Sequence, residues 1–265
     1  MKFKTVFIIG ASGGIGGAAA RKILNEGGTV VNGSRTKCEI EGVHNMYVDV
    51  EKPETIARAV GNIVSEYGCI DYFIYSAGDS LAAPFEYTTD ADLRHIFEVN
   101  FFGLSGALKE VVPIMRSFGG GRIVAVSSLG GEFPIPFDPF YSASKAAVNM
   151  FIKELNVELN PYNIYLTSLM PGGTATQFSY RRKVYSGGEA GIYADDMRRA
   201  ADKLVGIEQN GDSPEVVADE ILTVLKSKRP PLTATVGLKN KVILAADKLM
   251  PQPWSSNINK RQYLE

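Results

Sequence analysis

Tyr141 and Lys145 stand four positions apart in the stretch Tyr141-Ser142-Ala143-Ser144-Lys145, which is typical of the first turns of a helix. Residues four apart on a helix share a face, so we expect the two side chains to lie side by side. A tyrosine with its ordinary pKa of about 10 is a poor base near neutral pH, and a neighbouring ammonium lowers that pKa. The pair is therefore a candidate proton donor and acceptor. A tyrosine and a lysine on the surface of an amphipathic helix would show the same spacing.

A glycine-rich segment follows the first apolar run of the chain. Phe3–Ile9 is β-branched and aromatic, as expected for a buried parallel strand, and a helical pattern follows the glycines. Glycines permit a tight turn there, and the helix N-terminus offers free N–H groups and a positive dipole end to a pyrophosphate. The pattern predicts a dinucleotide site, although a glycine turn without a ligand has the same composition. The residues assigned to it are Gly10, Ser12, Gly13, Gly14, Ile15 and Gly16.

The second predicted strand, Thr29–Asn32, ends beside a basic segment. NAD-binding units usually place an acidic residue about 20 residues after the glycine turn, where it accepts a hydrogen bond from the ribose. Ser34 and Arg35 occupy that position here, with Lys37 close by. A guanidinium suits a 2′-phosphate, which a carboxylate would repel. We therefore expect NADP(H) rather than NAD(H), the alternative being that Arg35 is a solvated loop residue.

Strand and helix patterns alternate along the rest of the chain. This alternation predicts an α/β fold, namely a doubly wound parallel sheet (Rossmann fold) with helices on both faces. No linker or change of composition divides the sequence, so we expect a single domain over residues 1–265. The further strands are predicted at Asn45–Val48, Asp71–Tyr75, Arg122–Val126 and Asn163–Leu169. The helices are predicted at Pro53–Tyr67, at Asp90–Asn100 with a continuation to Phe118, at Tyr141–Asn160 and at Ser213–Lys226.

With these motifs in order, the chain resembles the short-chain dehydrogenase/reductase family in its short single-domain form, over residues 3–236. The motifs are Gly10-x-x-x-Gly14-Ile15-Gly16, Asp49-Val50, Ala77-Gly78, Asn100, Ser128, Tyr141-x-x-x-Lys145 and Pro171-Gly172-x-x-x-Thr176. The chain departs from the family pattern at Ile9, where threonine is frequent, and at Tyr75 and Ser76, where two asparagines are usual. A basic residue common in NADP-binding members is absent at Gly13, so the expected cofactor preference depends on Arg35 and the nearby Lys37.

The resemblance implies a role for each matched position. Ser128 would hydrogen-bond the substrate oxygen, and Tyr141 would exchange the proton. Lys145 would hold the nicotinamide ribose and lower the pKa of Tyr141, while Asn100 would position a water in a proton relay. Two donors beside a carbonyl oxygen would stabilise the negative charge that develops during hydride transfer. Beyond the glycine turn, Ser34 and Arg35, the implied cofactor contacts are Asp49, Val50, Ala77, Gly78, Asn100, Tyr141, Lys145, Pro171, Gly172, Thr174 and Thr176.

The activity implied is an NADP(H)-dependent carbonyl reductase or alcohol dehydrogenase. A second interpretation is a nucleotide-binding regulatory protein that keeps the fold without turnover, although such a protein has no need of Ser128, Tyr141 and Lys145. A third is enoyl reduction, which in related families uses a longer spacing between tyrosine and lysine.

The substrate is expected to meet a lid at residues 177–211 and the loop 129–140, because lids close over substrates and exclude water. Their aromatic residues predict an apolar pocket, unless they pack the lid against the body: Phe133, Phe137, Phe140, Phe178, Tyr180, Tyr185 and Tyr193. Arg181, Arg182 and Lys183 would face solvent or meet an acid group of the substrate. The C-terminal extension, residues 239–265, has a short apolar stripe, which suits packing on the lid or a subunit contact better than a membrane surface.

The composition and net charge of the chain limit the classes of partner that it is expected to bind. The net charge is −1 without a block of like charge, which argues against nucleic acid and anionic membranes as main partners. Neither Cys38 nor Cys69 has a metal-ligand spacing, and no metal is expected. Free cysteines suit a reducing compartment, so we expect a cytoplasmic protein. No stretch reaches the length of a transmembrane helix. A homodimer or homotetramer acting on a small carbonyl or alcohol substrate is the expected assembly.

Overall fold

The computed structural model of the protein describes residues 4–185, 188–249, 261, 263 and 264. Seven parallel strands form one sheet in the order β3-β2-β1-β4-β6-β7-β9, and β5 pairs with β8 separately. The strands within the described residues are β1 (Thr5–Ile9), β2 (Thr29–Ser34), β3 (Val43–Tyr47), β4 (Tyr72–Tyr75), β5 (Leu81–Ala82), β6 (Gly121–Val126), β7 (Ile164–Met170), β8 (Lys183–Val184) and β9 (Thr233–Thr235).

Helices cover both faces of this sheet, as the alternating pattern predicts. They are α1 (Gly14–Asn25), α2 (Pro53–Tyr67), α3 (Asp90–Phe97), α4 (Gly103–Ser117), α5 (Pro139–Leu159), α6 (Phe178–Arg181), α7 (Ala194–Gln209), α8 (Pro214–Lys226) and α9 (Leu238–Leu249). A π-helical turn, Glu98–Phe102, joins α3 to α4. None of the helices in the described ranges is long and apolar enough to cross a bilayer.

The two faces of the sheet follow from strand periodicity, because successive side chains point to opposite sides. Val6 and Ile8 of β1 pack into the core layer beneath α1 and α8. Phe7 and Ile9 pack into the opposite layer, beneath α2, α4 and α5. Strand β1 is buried on both sides, and it therefore reads as a nearly continuous apolar run.

Several predicted boundaries need correction. The third strand begins at Val43 rather than Asn45, because its residues pair in register with β2 from Val30 onward. The long helix begins at Pro139 rather than Tyr141, since proline is tolerated in the first turn of a helix. Strands β5, β8 and β9 and helices α6 and α7 were not predicted, and Phe3 lies outside the described residues.

The carboxyl ends of the central strands gather the predicted motifs at one edge. The strand order reverses between β1 and β4, and crevices at such switch points are where α/β sheets bind ligands. Gly10 follows β1, Ala77 follows β4, Ser128 follows β6 and Pro171 follows β7. Segments that lie far apart in the sequence therefore meet at one site.

Candidate active site

A large cavity lies along these strand ends. Its volume is about 1090 Å³, at the upper limit for a small-molecule site, and its lining extends from Arg35 to Tyr263. Most of the predicted site residues line it: Gly10, Ser12, Gly13, Gly14, Ile15, Ser34, Arg35, Val50, Ala77, Gly78, Ser128, Tyr141, Lys145, Pro171, Gly172, Thr174 and Thr176.

The glycine turn leaves room for a phosphate group. Gly10 has a φ of 97°, which favours glycine, and a Cβ there would lie 3.0 Å from the amide nitrogen of Ala77. A Cβ on Gly13 would meet nothing within 4 Å, so open space faces the start of α1. Gly13 precedes α1 without a side-chain cap, which leaves the first N–H groups of the helix free to bind an anion. The residues present therefore fit a pyrophosphate.

Gly16 has a different function from the rest of the turn. A Cβ on Gly16 would lie 2.3 Å from the carbonyl oxygen of Gly10, so this glycine permits α1 to pack against the turn. Gly16 does not line the cavity, and its predicted contact with the cofactor stays a prediction.

The end of β2 presents a basic side chain to the cavity. Arg35 is exposed and lines the cavity beside Ser34, and no carboxylate in the described part of the chain forms an ion pair with it. The Ser34 hydroxyl donates to Asn32 Oδ1 at 2.8 Å, which holds it at the strand end. Glu51 also lines the cavity, but its carboxylate hydrogen-bonds to His95 at 3.0 Å.

Asp49 is not part of the cavity lining, although Val50 is. The Asp49 carboxylate accepts from the backbone N–H of Glu51 at 3.3 Å and lies 3.6 Å from Lys52 Nζ. It therefore shapes the loop that carries Val50, and its predicted contact with the cofactor stays a prediction.

Asn100 is buried in the π-helical turn and does not line the cavity. Its side-chain amide donates to the carbonyl oxygen of Asp79 and to Ser144 Oγ, both at 2.9 Å, and accepts from the Asp79 N–H at 2.8 Å. Both amide hydrogens are thus used within the protein. The side chain braces α5 against the loop after β4, and its predicted role in holding a water stays a prediction.

Ser128 and Tyr141 form the reactive centre of the cavity. Ser128 Oγ accepts from the Gly130 N–H at 2.9 Å, which fixes its rotamer, and the hydroxyl also hydrogen-bonds with Tyr141. Burial raises the pKa of Tyr141 to about 12, and the hydrogen bond with Ser128 opposes that rise. Tyr141 is therefore a phenol at neutral pH and can donate a proton.

Lys145 follows Tyr141 one turn along α5. Burial lowers the pKa of Lys145 to about 8. Its Nζ donates to the carbonyl oxygen of Val126 at 3.0 Å and lies 5.7 Å from the centre of the Tyr141 ring. The shared helix face is confirmed. The expected lowering of the Tyr141 pKa by Lys145 stays a prediction, because the Tyr141 pKa in the structure is shifted by burial, the Ser128 hydrogen bond and the charges of other residues.

Comparison with known proteins decides the family. Residues 4–184 match the short chain dehydrogenase family. The chain belongs to this family. Members of the family are oxidoreductases that bind a nicotinamide cofactor. This short-chain dehydrogenase is therefore an oxidoreductase, and a small-molecule substrate is consistent with its family.

Relatives and solved structures agree with that assignment. A 3-ketodihydrosphingosine reductase of Bacteroides thetaiotaomicron is 33% identical over 250 residues, covering 94% of this chain and 93% of the relative. Retinol dehydrogenase 8 of Bos taurus is 30% identical over 77% of this chain and 67% of its own length. The crystal structure of a short-chain dehydrogenase from Streptomyces avermitilis superposes with a TM-score of 0.82 at 28% identity, covering 93% of each chain.

The far end of the cavity in this short-chain dehydrogenase is less aromatic than its sequence predicts. Of the seven predicted aromatic residues, Phe133 and Phe178 line the cavity. The others pack elsewhere: Tyr185 and Tyr193 on Tyr87, Phe137 on Tyr193, and Phe140 on Phe85, while Tyr180 is exposed. The rest of the apolar wall is mainly aliphatic and comes from the predicted segments and from α9: Ile135, Leu204, Ile207, Ile243 and Ala246.

The C-terminal segment helps to close this end. Ile243 and Ala246 of α9 line the cavity, and Tyr263 packs with Ala200 and Leu204 of α7. Packing on the lid is therefore the observed contact among the residues described. Met250 and Pro251, where the sequence predicts that this helix stops, lie outside them.

Arg182, Asp138 and Glu208 form a buried charged cluster whose charges act on Tyr141. The sequence analysis did not predict this cluster. Arg182 has a side chain only 3% exposed, and its Nη2 donates to Glu208 Oε1 at 2.5 Å. Its Nε donates to Ser80 Oγ at 2.8 Å and lies 3.9 Å from Asp138 Oδ2. Burial raises the pKa of Asp138 to about 7, although Ser80 and Arg182 oppose the rise. Arg182 is thus buried rather than solvent-facing, whereas Lys183 pairs with Asp92 at the surface.

Proposed function

We propose that the protein is an NADP(H)-dependent reductase of a ketone or aldehyde carried on an apolar substrate. The observation that supports it most strongly is the continuity of one cavity. Its cofactor end carries the open glycine turn and an unpaired Arg35, its centre carries Ser128 and Tyr141, and its far end is aliphatic. An NADPH oxidation screen against mixed ketones tests the proposal, since a regulatory protein without turnover would show no oxidation.

In this proposal the protein positions the substrate and protonates its carbonyl oxygen, while the cofactor, when bound, supplies the hydride. Ser128 and Tyr141 donate hydrogen bonds to the carbonyl oxygen, where negative charge develops. Tyr141 then transfers its phenolic proton to that oxygen, which leaves an alcohol. Lys145 is cationic below its pKa of about 8 and would hold the ribose hydroxyls of the cofactor.

The similarity to the Bacteroides reductase supports a ketone as the substrate. The name of that relative describes reduction of a 3-keto group, and the two proteins match over nearly the full length of both. The aliphatic wall formed by Leu204, Ile207 and Ile243 suits an extended apolar chain better than a sugar or a polyol.

Arg35→Ala is expected to weaken NADPH binding by roughly 10- to 150-fold and to leave NADH binding nearly unchanged. The lost charge-assisted hydrogen bonds are worth about 1.5–3 kcal/mol, and about 1.4 kcal/mol corresponds to tenfold. Dissociation constants for both cofactors, measured by calorimetry, check this prediction. Arg58→Ala, which removes an exposed arginine of α2 outside the cavity lining, is the matched control. Equal weakening of the two cofactors by Arg35→Ala would show that Arg35 does not read the 2′-phosphate.

A graded ketone series should show kcat/KM rising with apolar bulk. Buried apolar area is worth about 25 cal/mol per Å², and the gain appears in kcat/KM when the added group enters the pocket. The measurement is steady-state reduction at fixed NADPH, from short ketones to long-chain and aromatic ones. A flat or falling series, with small sugars reduced best, would overturn the apolar-substrate part of the proposal.

A further inference from the structure

His95 of α3 lies between two carboxylates whose residues line the cavity, Glu51 and Asp79. Its Nδ1 lies 3.0 Å from Glu51 Oε1, and its Nε2 lies 2.9 Å from Asp79 Oδ2. A neutral imidazole donates from one nitrogen and accepts at the other, whereas an ionised carboxylate only accepts. With both carboxylates ionised, the imidazolium is therefore the one form of the ring that donates to both.

The two carboxylates come from segments that are far apart in the sequence. Glu51 follows β3, whereas Asp79 follows β4. The backbone of Asp79 is fixed, because its N–H donates to Asn100 Oδ1 at 2.8 Å and its carbonyl oxygen accepts from the Asn100 amide at 2.9 Å. A Cβ on the preceding Gly78 would lie 3.5 Å from Lys145 Nζ. The two contacts of the imidazole thus tie the Glu51 loop to a segment that lies beside the predicted cofactor contacts.

Charged groups on the neighbouring elements have partners of their own. Asp92, three positions before His95 on α3, pairs with Lys183 of β8 at 2.7 Å, and its charge also interacts with that of the ring. Lys52, in the loop after β3, lies 3.6 Å from an Asp49 carboxylate oxygen. The two carboxylates in hydrogen-bond contact with the ring therefore have the largest effect on its protonation. The other charged side chains of α3 and of the π-helical turn are exposed: Asp90, Arg94 and Glu98.

The proton on His95 affects a bound dinucleotide because both partners of the ring bring negative charge to the cavity wall. The imidazolium offsets that charge, and a neutral ring would leave two carboxylates in a cavity that receives an anionic cofactor, with one hydrogen bond lost. Desolvation alone would lower the pKa of His95, but the hydrogen bonds with Asp79 and Glu51 and their charges outweigh it and raise the pKa. The ring therefore keeps its proton above the ordinary histidine pKa of about 6.5 and loses it as the pH rises further.

We propose that His95, as the imidazolium, is a positioning residue for cofactor binding. It holds the Glu51 loop and residues 77–79 in the arrangement that receives the nicotinamide cofactor, and its deprotonation weakens that binding. The ring acts through its two carboxylate partners, since His95 itself is not among the residues that line the cavity. The inference depends on the nicotinamide cofactor that members of the family bind, and not on the substrate. It applies to NADPH and NADH alike.

The test is calorimetric binding of NADPH and of NADH to wild type and to His95→Gln, at about pH 6 and at about pH 9, on either side of the histidine titration. Glutamine keeps a hydrogen-bonding amide without a titrating charge. His95→Gln should bind either cofactor about 3- to 10-fold more weakly than wild type at the lower pH, the scale of a charge-assisted over a neutral hydrogen bond. At the higher pH the two proteins should bind with nearly the same affinity, because the wild-type ring is then neutral.

Other groups titrate in the same range, and the comparison separates them from His95. Lys145 of α5, the helix that packs on α3, has a pKa that burial lowers to about 8, but it titrates in both proteins and cancels in their ratio. NADH lacks the 2′-phosphate, and phosphate monoesters titrate near about pH 6. The matched control is His44→Gln, because His44 is exposed, its ring centre lies 5.5 Å from that of Tyr67, and it is outside the cavity lining. This control should bind both cofactors as wild type does at either pH.

Proton NMR of the histidine rings gives a measurement that needs no activity. The chain has two histidines, so His44→Gln assigns the remaining resonance to His95 even where His95→Gln fails to fold. That resonance should titrate above the ordinary histidine pKa of about 6.5, and at still higher pH with cofactor bound, because coupling between proton and cofactor is reciprocal. A titration that cofactor leaves unchanged, or a wild-type to His95→Gln ratio of Kd that is the same at both pH values, overturns the inference. The expected pH dependence of binding without reduction of any ketone supports the role of His95 and overturns only the reductase proposal.

Discussion

Tyr141→Phe is expected to lower kcat for ketone reduction by about 100- to 10,000-fold, the range that general acid catalysis contributes. The variant loses one oxygen and keeps the ring that packs at 6.1 Å from Phe178, so the cavity should keep its shape. Because the phenol acts in proton transfer, NADPH affinity should change little. Single-turnover NADPH oxidation and calorimetric cofactor binding measure the two quantities separately.

Tyr162→Phe is the control for that experiment, since Tyr162 is exposed at the end of α5, outside the cavity lining. This control variant also removes one phenolic hydroxyl, and it should leave kcat unchanged. If Tyr141→Phe kept a tenth or more of the wild-type kcat, Tyr141 would not be the proton donor, and Ser128 or Lys145 would have to supply the proton.

The sheet could be predicted because its signals are local. Strand β1 and helix α2 follow from apolar runs and from a proline at the first helical position, and both lie close to their predicted bounds. The shared face of Tyr141 and Lys145 follows from helical spacing alone. Strand β9, by contrast, has only three residues, Thr233–Thr235, which is too short for a period to show.

The substrate end could not be predicted because it depends on tertiary packing. Helix α7 is rich in charged residues, and its apolar stripe of Met197, Ala200 and Leu204 was overlooked in a segment interpreted as a variable lid. The stripe has helical spacing, so this signal was available. The pairing of Arg182 with Glu208 could not be predicted from the sequence. No sequence pattern indicates that the residue after α6 contacts the end of α7.

Arg182→Met should reduce the free energy of unfolding by about 3–5 kcal/mol, because removing one partner leaves uncompensated buried charge. Methionine retains much of the apolar stem that lies beside Phe178, so the loss reports mainly on charge. Glu208 loses its 2.5 Å ion pair, and the buried Asp138 carboxyl loses the cation 3.9 Å away. Chemical unfolding at neutral pH measures the change. Arg181→Met, at the adjacent exposed position, should stay within about 0.5 kcal/mol of wild type.

The pH dependence of this loss distinguishes charge from packing. The folded-state pKa of Asp138 is raised to about 7, so its contribution to stability is complete below its ordinary pKa and is lost as the pH rises through 7. Arg182 lowers that pKa, and its removal lets the pKa rise further. The gap in unfolding free energy between wild type and Arg182→Met should therefore shrink from about pH 8 to about pH 5, where the Asp138 carboxyl is neutral.

Adding Glu208→Gln to Arg182→Met should recover part of the lost unfolding free energy at about pH 8, because it removes one of the unpaired buried charges. A gap that is the same at both pH values, with no recovery in the double variant, would mean that Arg182 stabilises the fold through packing alone.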